Sequence, residues 1–133
     1  MTILINIDVP SLAEGERFYA SAFGLKPGRK LGDTVLEMTG WPVLAYLLEK
    51  PAGTIGAALK EREYTRHWTP VHVDVVVPDL DHAVELAMAA GAVVEGGPAD
   101  TSYGRIAMLA DPFGHGFCLI EFNSSGYDSV LST

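Results

Sequence analysis

The sequence contains one cysteine, few basic residues and no long apolar run. The single cysteine, Cys118, cannot form a disulfide within the chain, which fits a reducing compartment. Only nine lysines and arginines stand against 17 aspartates and glutamates, and the formal net charge is −8. Because phosphate backbones are bound through clustered positive charge, we expect no nucleic-acid partner and favour neutral or cationic small molecules as ligands.

The apolar runs of the chain are too short for a membrane span. Residues 43–48, for example, fall far below the roughly 20 residues that a spanning helix needs. The sequence also lacks the pattern of a cationic start, an apolar stretch and a small-residue cleavage site. We therefore expect a cytoplasmic protein with no membrane partner.

The composition is that of a globular protein. Hydrophobic residues make up 48% of the chain, and the mean hydropathy is +0.20. The length of 133 residues suits one compact domain. A half of about 65 residues would bury only about 60% of its unfolded surface, so each half should need the other half or a partner chain.

Two stretches about half a chain apart repeat one pattern. Residues 5–24 read INIDVPSLAEGERFYASAFG, and residues 73–91 read VDVVVPDLDHAVELAMAAG. Each contains a short strand pattern, a turn with proline, a helix and a final glycine, and the VPSL of the first copy aligns with the VPDL of the second at an offset of 68. We interpret the chain as a duplicated module.

The first half is predicted to read strand, helix, strand, strand, strand. Residues 3–9 alternate as a strand, and Ser11 with Glu14 three positions later forms a capping box. Apolar residues recur at helical spacing until Gly24. Further strands are predicted at residues 25–31, 34–38 and 43–49.

The second half is predicted to repeat this order. A strand at residues 71–77 precedes a helix at residues 80–90, capped by Asp79 and ended by Gly91, and strands follow near residues 93–96, 105–110 and 117–122. Residues 51–69 read as a connector with a short helix at residues 57–62, and residues 123–133 form an unassigned tail. The residues expected to pack the helices onto the sheets are Leu12, Phe18, Leu80 and Leu86.

The turn Asp111-Pro112-Phe113-Gly114, followed by the strand GFCLIEF, completes a recognisable pattern. Together with the duplication, it resembles the vicinal oxygen chelate superfamily, which includes glyoxalase I, bleomycin resistance proteins, fosfomycin resistance enzymes and extradiol dioxygenases. The resemblance covers residues 3–122. It implies an α+β fold in which two tandem βαβββ modules form a cleft of curved mixed β-sheet with helices on the outer face. The predicted organisation is one domain over residues 1–133, with modules at 1–50 and 70–122, connector 51–69 and tail 123–133.

The resemblance implies metal-ligand positions at the start of the first strand and on the last strand of each module. The two first-strand positions are Leu4 and His72, and only His72 can ligate. Counting seven residues on from Asp111 places Cys118 at the last-strand position of the second module. In the first module, Glu49 is a candidate if residues 45, 47 and 49 face inward, and there is none if residues 44, 46 and 48 do.

We therefore expect no complete metal site. If a divalent metal binds, its candidate ligands are His72, Cys118 and Glu49, and cysteine favours zinc over manganese, iron or nickel. Glu121 lies three residues from Cys118, so strand alternation predicts that it faces the opposite side.

The candidate residues for binding a small organic molecule are His72, Asp74, Cys118, Tyr46, Tyr103 and Arg105. His72 and Asp74 share a strand face and could bind by hydrogen bonds, or do acid–base chemistry without a metal. Cys118 could be a buried hydrophobe, or a nucleophile if His72 stabilised its thiolate. Tyr46 and Tyr103, with Trp41 and Trp68, could stack on a ligand ring or pack in the core, and Arg105 could meet a ligand carboxylate or an acidic neighbour.

The other histidines have simpler expected roles. His67, in the connector, and His82, on the second helix, are predicted to be solvated. His115 follows the Asp-Pro-Phe-Gly turn and is assigned to turn geometry. The sequence assigns no catalytic residue.

The favoured function is a homodimeric small-molecule-binding protein, similar to the bleomycin resistance proteins. The alternative is a metal-dependent lyase or dioxygenase of the same superfamily. Metal content separates the two, because only the enzyme needs a complete ligand set.

Overall fold

The computed structural model describes residues 1–132 and divides into two compact units. The first unit spans Met1–Thr65, and the second begins at Arg66. The boundary falls within the predicted connector, so residues 51–65 belong with the first module and residues 66–69 with the second.

Both units carry the predicted βαβββ order. The first contains β1 (Leu4–Val9), α1 (Leu12–Phe23), β2 (Lys26–Leu31), β3 (Val35–Thr39) and β4 (Leu44–Glu49). The second contains β5 (Val73–Val76), α2 (Leu80–Ala90), β6 (Val93–Thr101), β7 (Gly104–Ala110) and β8 (Gly116–Phe122). Within residues 1–132, neither helix has the length and apolar content that a membrane crossing demands.

The two sheets have the same strand order. The first is β1-β4-β3-β2, and the second is β5-β8-β7-β6. In each sheet the first and last strands of the module pair in parallel, and the other neighbours pair antiparallel. The α+β class and the duplication of the module are thereby confirmed.

The helices begin and end where their capping residues predict. Ser11 Oγ accepts a hydrogen bond from Glu14 N at 3.4 Å, and Asp79 Oδ1 accepts one from His82 N at 3.0 Å. Each helix ends at a glycine in the left-handed region, Gly24 with φ 69° and Gly91 with φ 115°.

In the first module, α1 packs on the sheet face that carries Val9 and Leu47. A Cβ on Gly15 of α1 would lie 3.0 Å from Val9 Cγ1 and 3.2 Å from Leu47 Cδ1, so the helix backbone approaches the sheet closely at this point. Phe18 of the same helix is buried, at 1% exposure. Because strand side chains alternate, Leu4, Asn6 and Tyr46 lie on the opposite face, which we call the helix-free face of the module.

In the second module, α2 packs on the face that carries Arg105 and Glu121, since both side chains bond to the start of that helix. Leu80, Val84 and Ala87 are its buried positions. The prediction that Leu86 packs against the sheet is wrong, because two residues after Val84 a side chain points to the other side of the helix, and Leu86 is 41% exposed.

The predicted helix at residues 57–62 is also wrong. Only a 3-10 turn forms, at Ala57–Leu59, and positive φ values of 56° and 58° at Ala58 and Leu59 end it. The chain reverses direction here, and Ile55 and Glu61 form an antiparallel β-bridge. Arg62 Nε lies 2.8 Å from Asp8 Oδ2, which fixes this segment to β1.

Two other segments are more ordered than their sequence indicates. Strand β6 continues to Thr101, five residues past the predicted end, because β7 pairs with it along this length. The tail forms a 3-10 turn at Gly126–Val130, where Asn123 Oδ1 accepts hydrogen bonds from Ser125 N and Gly126 N.

Candidate functional site

His72, Asp74 and Cys118 meet on the helix-free face of the second module. Asp74 on β5 lies directly opposite Cys118 on β8, so their side chains share this face. His72 precedes β5, and its Nε2 lies 3.1 Å from Asp74 Oδ1. One ligand-type atom from each of the three side chains lies within 4.8 Å of the others. The structure thus brings together the three residues predicted to form a binding site.

Cys118 is a protonated thiol in this arrangement. Burial, the negative charge of Asp74 and a hydrogen bond to that carboxylate raise the pKa of Cys118 to about 11. A nucleophilic cysteine has its pKa lowered by a positive neighbour. The suggestion that Cys118 is a nucleophile activated by His72 is therefore not supported by this structure, because the charge and the hydrogen bond of Asp74 raise the pKa of the thiol.

A pocket of about 230 Å³ opens beside this cluster. Its lining includes His72 and Cys118 together with the large side chains Trp68, Met108 and Phe117. Trp68 is 80% exposed and Met108 is 52% exposed. Large apolar side chains left this accessible next to polar groups are typical of a surface that binds a ligand.

Residues 66–69 contribute Arg66, Trp68 and Thr69 to the pocket lining, and two side chains of this segment contact the rest of the second module. Arg66 donates to both oxygens of Glu95 on β6, at 2.6 Å through Nε and 2.9 Å through its terminal nitrogen. His67 Nε2 lies 3.1 Å from His115 Nδ1. This segment is therefore tied to a strand and to the turn before β8.

The histidine pair corrects the roles predicted for His67 and His115. His67 is paired and not merely solvated, and His115 joins the contact as well as the turn. Its turn role also holds, because Asp111 Oδ1 accepts hydrogen bonds from Phe113 N at 2.8 Å and from His115 N at 3.0 Å. No local pattern relates residues 48 positions apart in the chain, so sequence reasoning missed this contact and the Arg66–Glu95 pair.

The helix-free face of the first module carries a different set of groups. The register pairs Asn6 with Tyr46 as it pairs Asp74 with Cys118, so Tyr46 is the equivalent of Cys118. The Tyr46 hydroxyl donates to Glu37 Oε2 at 3.0 Å, and Arg29 holds the same carboxylate at 2.6 Å. These bonds lower the pKa of Glu37 to about 2 despite its burial, with the Arg29 hydrogen bond as the largest cause.

Glu49 is excluded as a ligand on this face. The register places residues 44, 46 and 48 on the helix-free face and Glu49 on the side of α1. There its Oε2 accepts a hydrogen bond from Leu12 N at 2.8 Å. Glu121 takes the same place in the second module, accepting from Leu80 N at 2.6 Å, which confirms that it faces away from Cys118.

Arg105 and Tyr103 also lie away from the pocket lining. Arg105 donates to both oxygens of Asp81 on α2 at 3.0 Å, so its partner is an acidic neighbour on the helix side. Tyr103 packs edge-on against Tyr127 and Phe122, at ring separations of 5.2 and 6.3 Å. Neither residue joins the group formed by His72, Asp74 and Cys118.

The four inherited metal positions do not fit a divalent ion. They are occupied by Leu4, Tyr46, His72 and Cys118, of which Leu4 has no donor atom and Tyr46 is hydrogen-bonded to Glu37. Asp74 adds a third possible ligand beside His72 and Cys118. Its carboxylate, however, accepts the hydrogen bond of the Cys118 thiol and lies 3.1 Å from His72 Nε2, so the three groups bond to one another.

Tandem βαβββ modules with these equivalent positions define a member of the glyoxalase/bleomycin resistance/dioxygenase class, the vicinal oxygen chelate superfamily. Within this class, the chain belongs to the glyoxalase-like domain family, which matches residues 4–120.

The chain is similar to proteins of known name in sequence and in structure. It is 36% identical over 125 residues to the anthracycline biosynthesis protein DauV of Streptomyces sp. strain C5, an alignment that covers 91% of this chain and 41% of DauV. The chain spans about two-fifths of the length of the curated relatives it matches.

Two solved structures illustrate the shared fold. The fosfomycin resistance protein FosX of Listeria monocytogenes has a TM-score of 0.70 and 19% identity, with 98% of each chain covered. TnmS3, an antibiotic binding protein from Streptomyces sp. CB03234, has a TM-score of 0.59 and 21% identity, with 92% of this chain and 98% of TnmS3 covered.

Proposed function

We propose that this protein binds a small aromatic organic molecule on the helix-free face of its second module, without a complete metal centre. The observation that carries the proposal is the pocket itself. Trp68 and Met108 expose large apolar surfaces there, next to the polar pair His72 and Asp74. An apolar surface with a few placed polar groups is the usual composition of a small-molecule site.

The volume of the pocket and the net charge of the chain limit the kinds of ligand expected. Pockets for drug-sized ligands usually measure about 300–1,000 Å³, and this one, at about 230 Å³, accommodates one fused-ring portion of such a molecule. The formal charge of −8 favours a neutral or cationic ligand over an anion.

The names of similar proteins also support an aromatic small-molecule ligand. DauV is named for anthracycline biosynthesis, and TnmS3 is described as an antibiotic binding protein. We therefore infer that polycyclic aromatic natural products are the class of ligand to test first.

The test uses the two tryptophans of the chain as its readout. In a Trp41→Phe variant, Trp68 is the single remaining indole, so its fluorescence reports on the pocket. Titration with the anthracycline doxorubicin should quench this emission saturably, and calorimetry should give a 1:1 stoichiometry per chain. The titration is repeated at 0.5 M salt, where nonspecific attraction of a cation to an acidic protein is screened.

A matched variant locates the binding. Trp68→Ala should weaken doxorubicin binding by calorimetry, whereas Trp41→Phe should not, because Trp41 packs against Phe23 and Tyr19 of the first module. Equal binding by wild type and Trp68→Ala would contradict the proposal.

The metal-dependent lyase or dioxygenase remains the alternative function. It requires ligands that Leu4 and Tyr46 do not supply, so support for it is weaker than for binding. Glyoxalase activity in the purified protein, increased by added divalent metal and lost in His72→Ala, would favour the enzyme.

The homodimer is also part of the proposal. Each four-stranded sheet has two edge strands, and small modules of this kind gain buried surface by association. Light scattering at micromolar concentration should give twice the chain mass of 14.2 kDa. A monomer at this concentration would contradict the dimer and leave the pocket proposal standing.

A further inference from the structure

The hydrogen-bond chain at the pocket fixes which groups can still receive a ligand. Asp74 accepts a hydrogen bond from the Cys118 thiol and faces His72 Nε2 at 3.1 Å. An ionised carboxylate has acceptor sites only, so the hydrogen of the His72 contact must reside on Nε2. In the neutral imidazole, Nδ1 then carries a lone pair and is an acceptor.

His72 is available to a ligand. Its side chain is 50% exposed, and it lines the pocket directly. Asp74 is absent from the lining, and its role is to orient the ring. Cys118 lines the pocket but its hydrogen is directed to Asp74.

The guanidinium of Arg66, which lines the pocket, is already engaged. Arg66 donates to Glu95 through two nitrogens and to the backbone oxygen of His67 through the third. Its charge is balanced by Glu95, so it does not select an anionic ligand. Thr69 and Glu95 also line the pocket, but the Thr69 hydroxyl donates to Val71 O and the Glu95 carboxylate is bonded to Arg66. The acceptor that we assign to ligand selection is therefore Nδ1 of His72.

Trp68 and Met108 provide the apolar surface. An indole at 80% exposure presents a broad face on which a flat ring can stack, and a methionine side chain adapts to the ring edge. A ligand complementary to this pocket is flat and aromatic and carries a hydrogen-bond donor at its edge.

We propose that the pocket selects aromatic ligands that carry a phenolic hydroxyl, which donates its hydrogen to Nδ1 of His72 while the ring lies against Trp68 and Met108. His72 is thus the specificity-determining residue, and Asp74 is a positioning residue that fixes its tautomer. This inference rests on the proposed function, since it names the ligand class of the same pocket.

The test compares two probes of the same ring system, 2-naphthol and 2-methoxynaphthalene. They share the naphthalene ring, and methylation removes the hydroxyl donor at the cost of one added methyl group. Binding to the wild-type protein is measured at pH 7.5 by amide and indole chemical-shift titration, which gives the affinity and shows whether Trp68 responds. We expect 2-naphthol to bind about tenfold more tightly, a ratio in the range expected for loss of one hydrogen bond.

The variants assign the preference to His72. His72→Phe keeps a flat ring and removes the acceptor, so the two probes should bind with similar affinity. Asp74→Asn should reduce the preference severalfold while 2-methoxynaphthalene binding stays unchanged, because the apolar contacts remain. His82→Phe, on the exposed side of α2, is the matched control and should keep the wild-type ratio.

The outcomes separate this inference from the proposed function. If both probes bind at Trp68 with equal affinity, the pocket binds aromatic molecules and the role of His72 is overturned. If neither probe shifts Trp68, the proposed function fails at this pocket and the inference fails with it. A preference for 2-naphthol that survives in a folded His72→Phe variant would also overturn the assignment.

Discussion

Glu49 and Glu121 occupy the same position in the two modules and make the same bond. Each carboxylate accepts a hydrogen bond from the first backbone N–H of its module's helix, Leu12 N at 2.8 Å for Glu49 and Leu80 N at 2.6 Å for Glu121. The first N–H groups of a helix lack partners within the helix, and a negative charge there is favourable. The end of the last strand thus anchors the start of the helix in both modules.

Removing either carboxylate should destabilise the protein to a similar extent. Glu49→Ala and Glu121→Ala should each cost about 1 kcal/mol, the typical value for loss of a helix N-terminal cap. Urea unfolding measures the difference, and Glu85→Ala, at an exposed position of α2, serves as the control. A cost in only one module would show that the two bonds are not equivalent.

The core under α1 should depend strongly on Phe18. Truncation of this ring, which is 1% exposed, should cost about 3–5 kcal/mol because it leaves a cavity against the sheet. Leu86→Ala should cost less than about 1 kcal/mol, since Leu86 lies on the open side of α2. Similar costs for the two variants would contradict the assigned helix faces.

Cys118 should react slowly with thiol reagents at neutral pH. With its pKa raised from 9.0 to about 11, its thiolate fraction at pH 8 is about 100-fold below that of an ordinary cysteine. The rate of alkylation by iodoacetamide should rise with pH up to about 11, and Asp74→Asn should move this rise to lower pH. Urea-unfolded protein provides the reference rate, and an equal native rate at pH 8 would refute the hydrogen-bonded thiol.

The Arg29–Glu37–Tyr46 cluster should contribute to stability against acid. The pKa of Glu37 is about 2 in the folded protein and near 4.5 when the group is unperturbed. Its carboxylate therefore stabilises the fold fully above pH 4.5, and this contribution is lost as the pH falls toward 2. Glu37→Gln should lower stability at pH 7 and flatten the fall in stability between these pH values. Unfolding measured at several pH values tests this, with the exposed Glu85→Gln as control; unchanged pH dependence in Glu37→Gln would contradict it.

The purified protein should hold well under one equivalent of zinc, nickel, manganese or iron by elemental analysis. The reason is the missing donor at Leu4 and the engaged hydroxyl of Tyr46, which leave only His72 and Cys118 as donors at the four inherited positions. Leu4→His combined with Cys118→Glu should raise metal affinity, because these changes restore donors at inherited positions. Stoichiometric metal in the wild-type protein that is lost in His72→Ala would instead support the enzyme.

Much of the fold is readable in the sequence because its signals are local. Caps at Ser11 and Asp79, glycines at the helix ends and strand alternation are properties of neighbouring residues, and they predict both modules with their order of elements. The helix prediction for residues 57–62 failed because it also used local signals alone. A stretch of apolar and charged residues is compatible with a helix, and only the positive φ values of Ala58 and Leu59 in the structure exclude one.

The candidate site was only partly predictable. The positions of His72 and Cys118 follow from the family resemblance, which implies ligand positions on the first and last strands of the module. Strand alternation adds Asp74, which lies two residues after His72. The inward face of β4 could not be chosen, because alternation permits two answers and only the pairing of Asn6 with Tyr46 decides between them. Two contacts of the site could not be predicted, the Arg66–Glu95 pair and the His67–His115 pair. Both form where the connector meets the second module, and no pattern in the neighbouring residues indicates where that is.

The two helix-free faces carry different chemical groups, whereas the carboxylate that bonds the start of each helix is the same. Leu4, Asn6 and Tyr46 stand where the second copy has His72, Asp74 and Cys118, yet both copies retain the same carboxylate under the helix. In a duplicated module, residues of the binding face can change without changing the residues that hold the helix to the sheet. One copy can therefore acquire a new ligand specificity while both copies keep their fold. For a laboratory evolution experiment, randomising the second copy's three positions alone would therefore sample new ligands on an undisturbed framework.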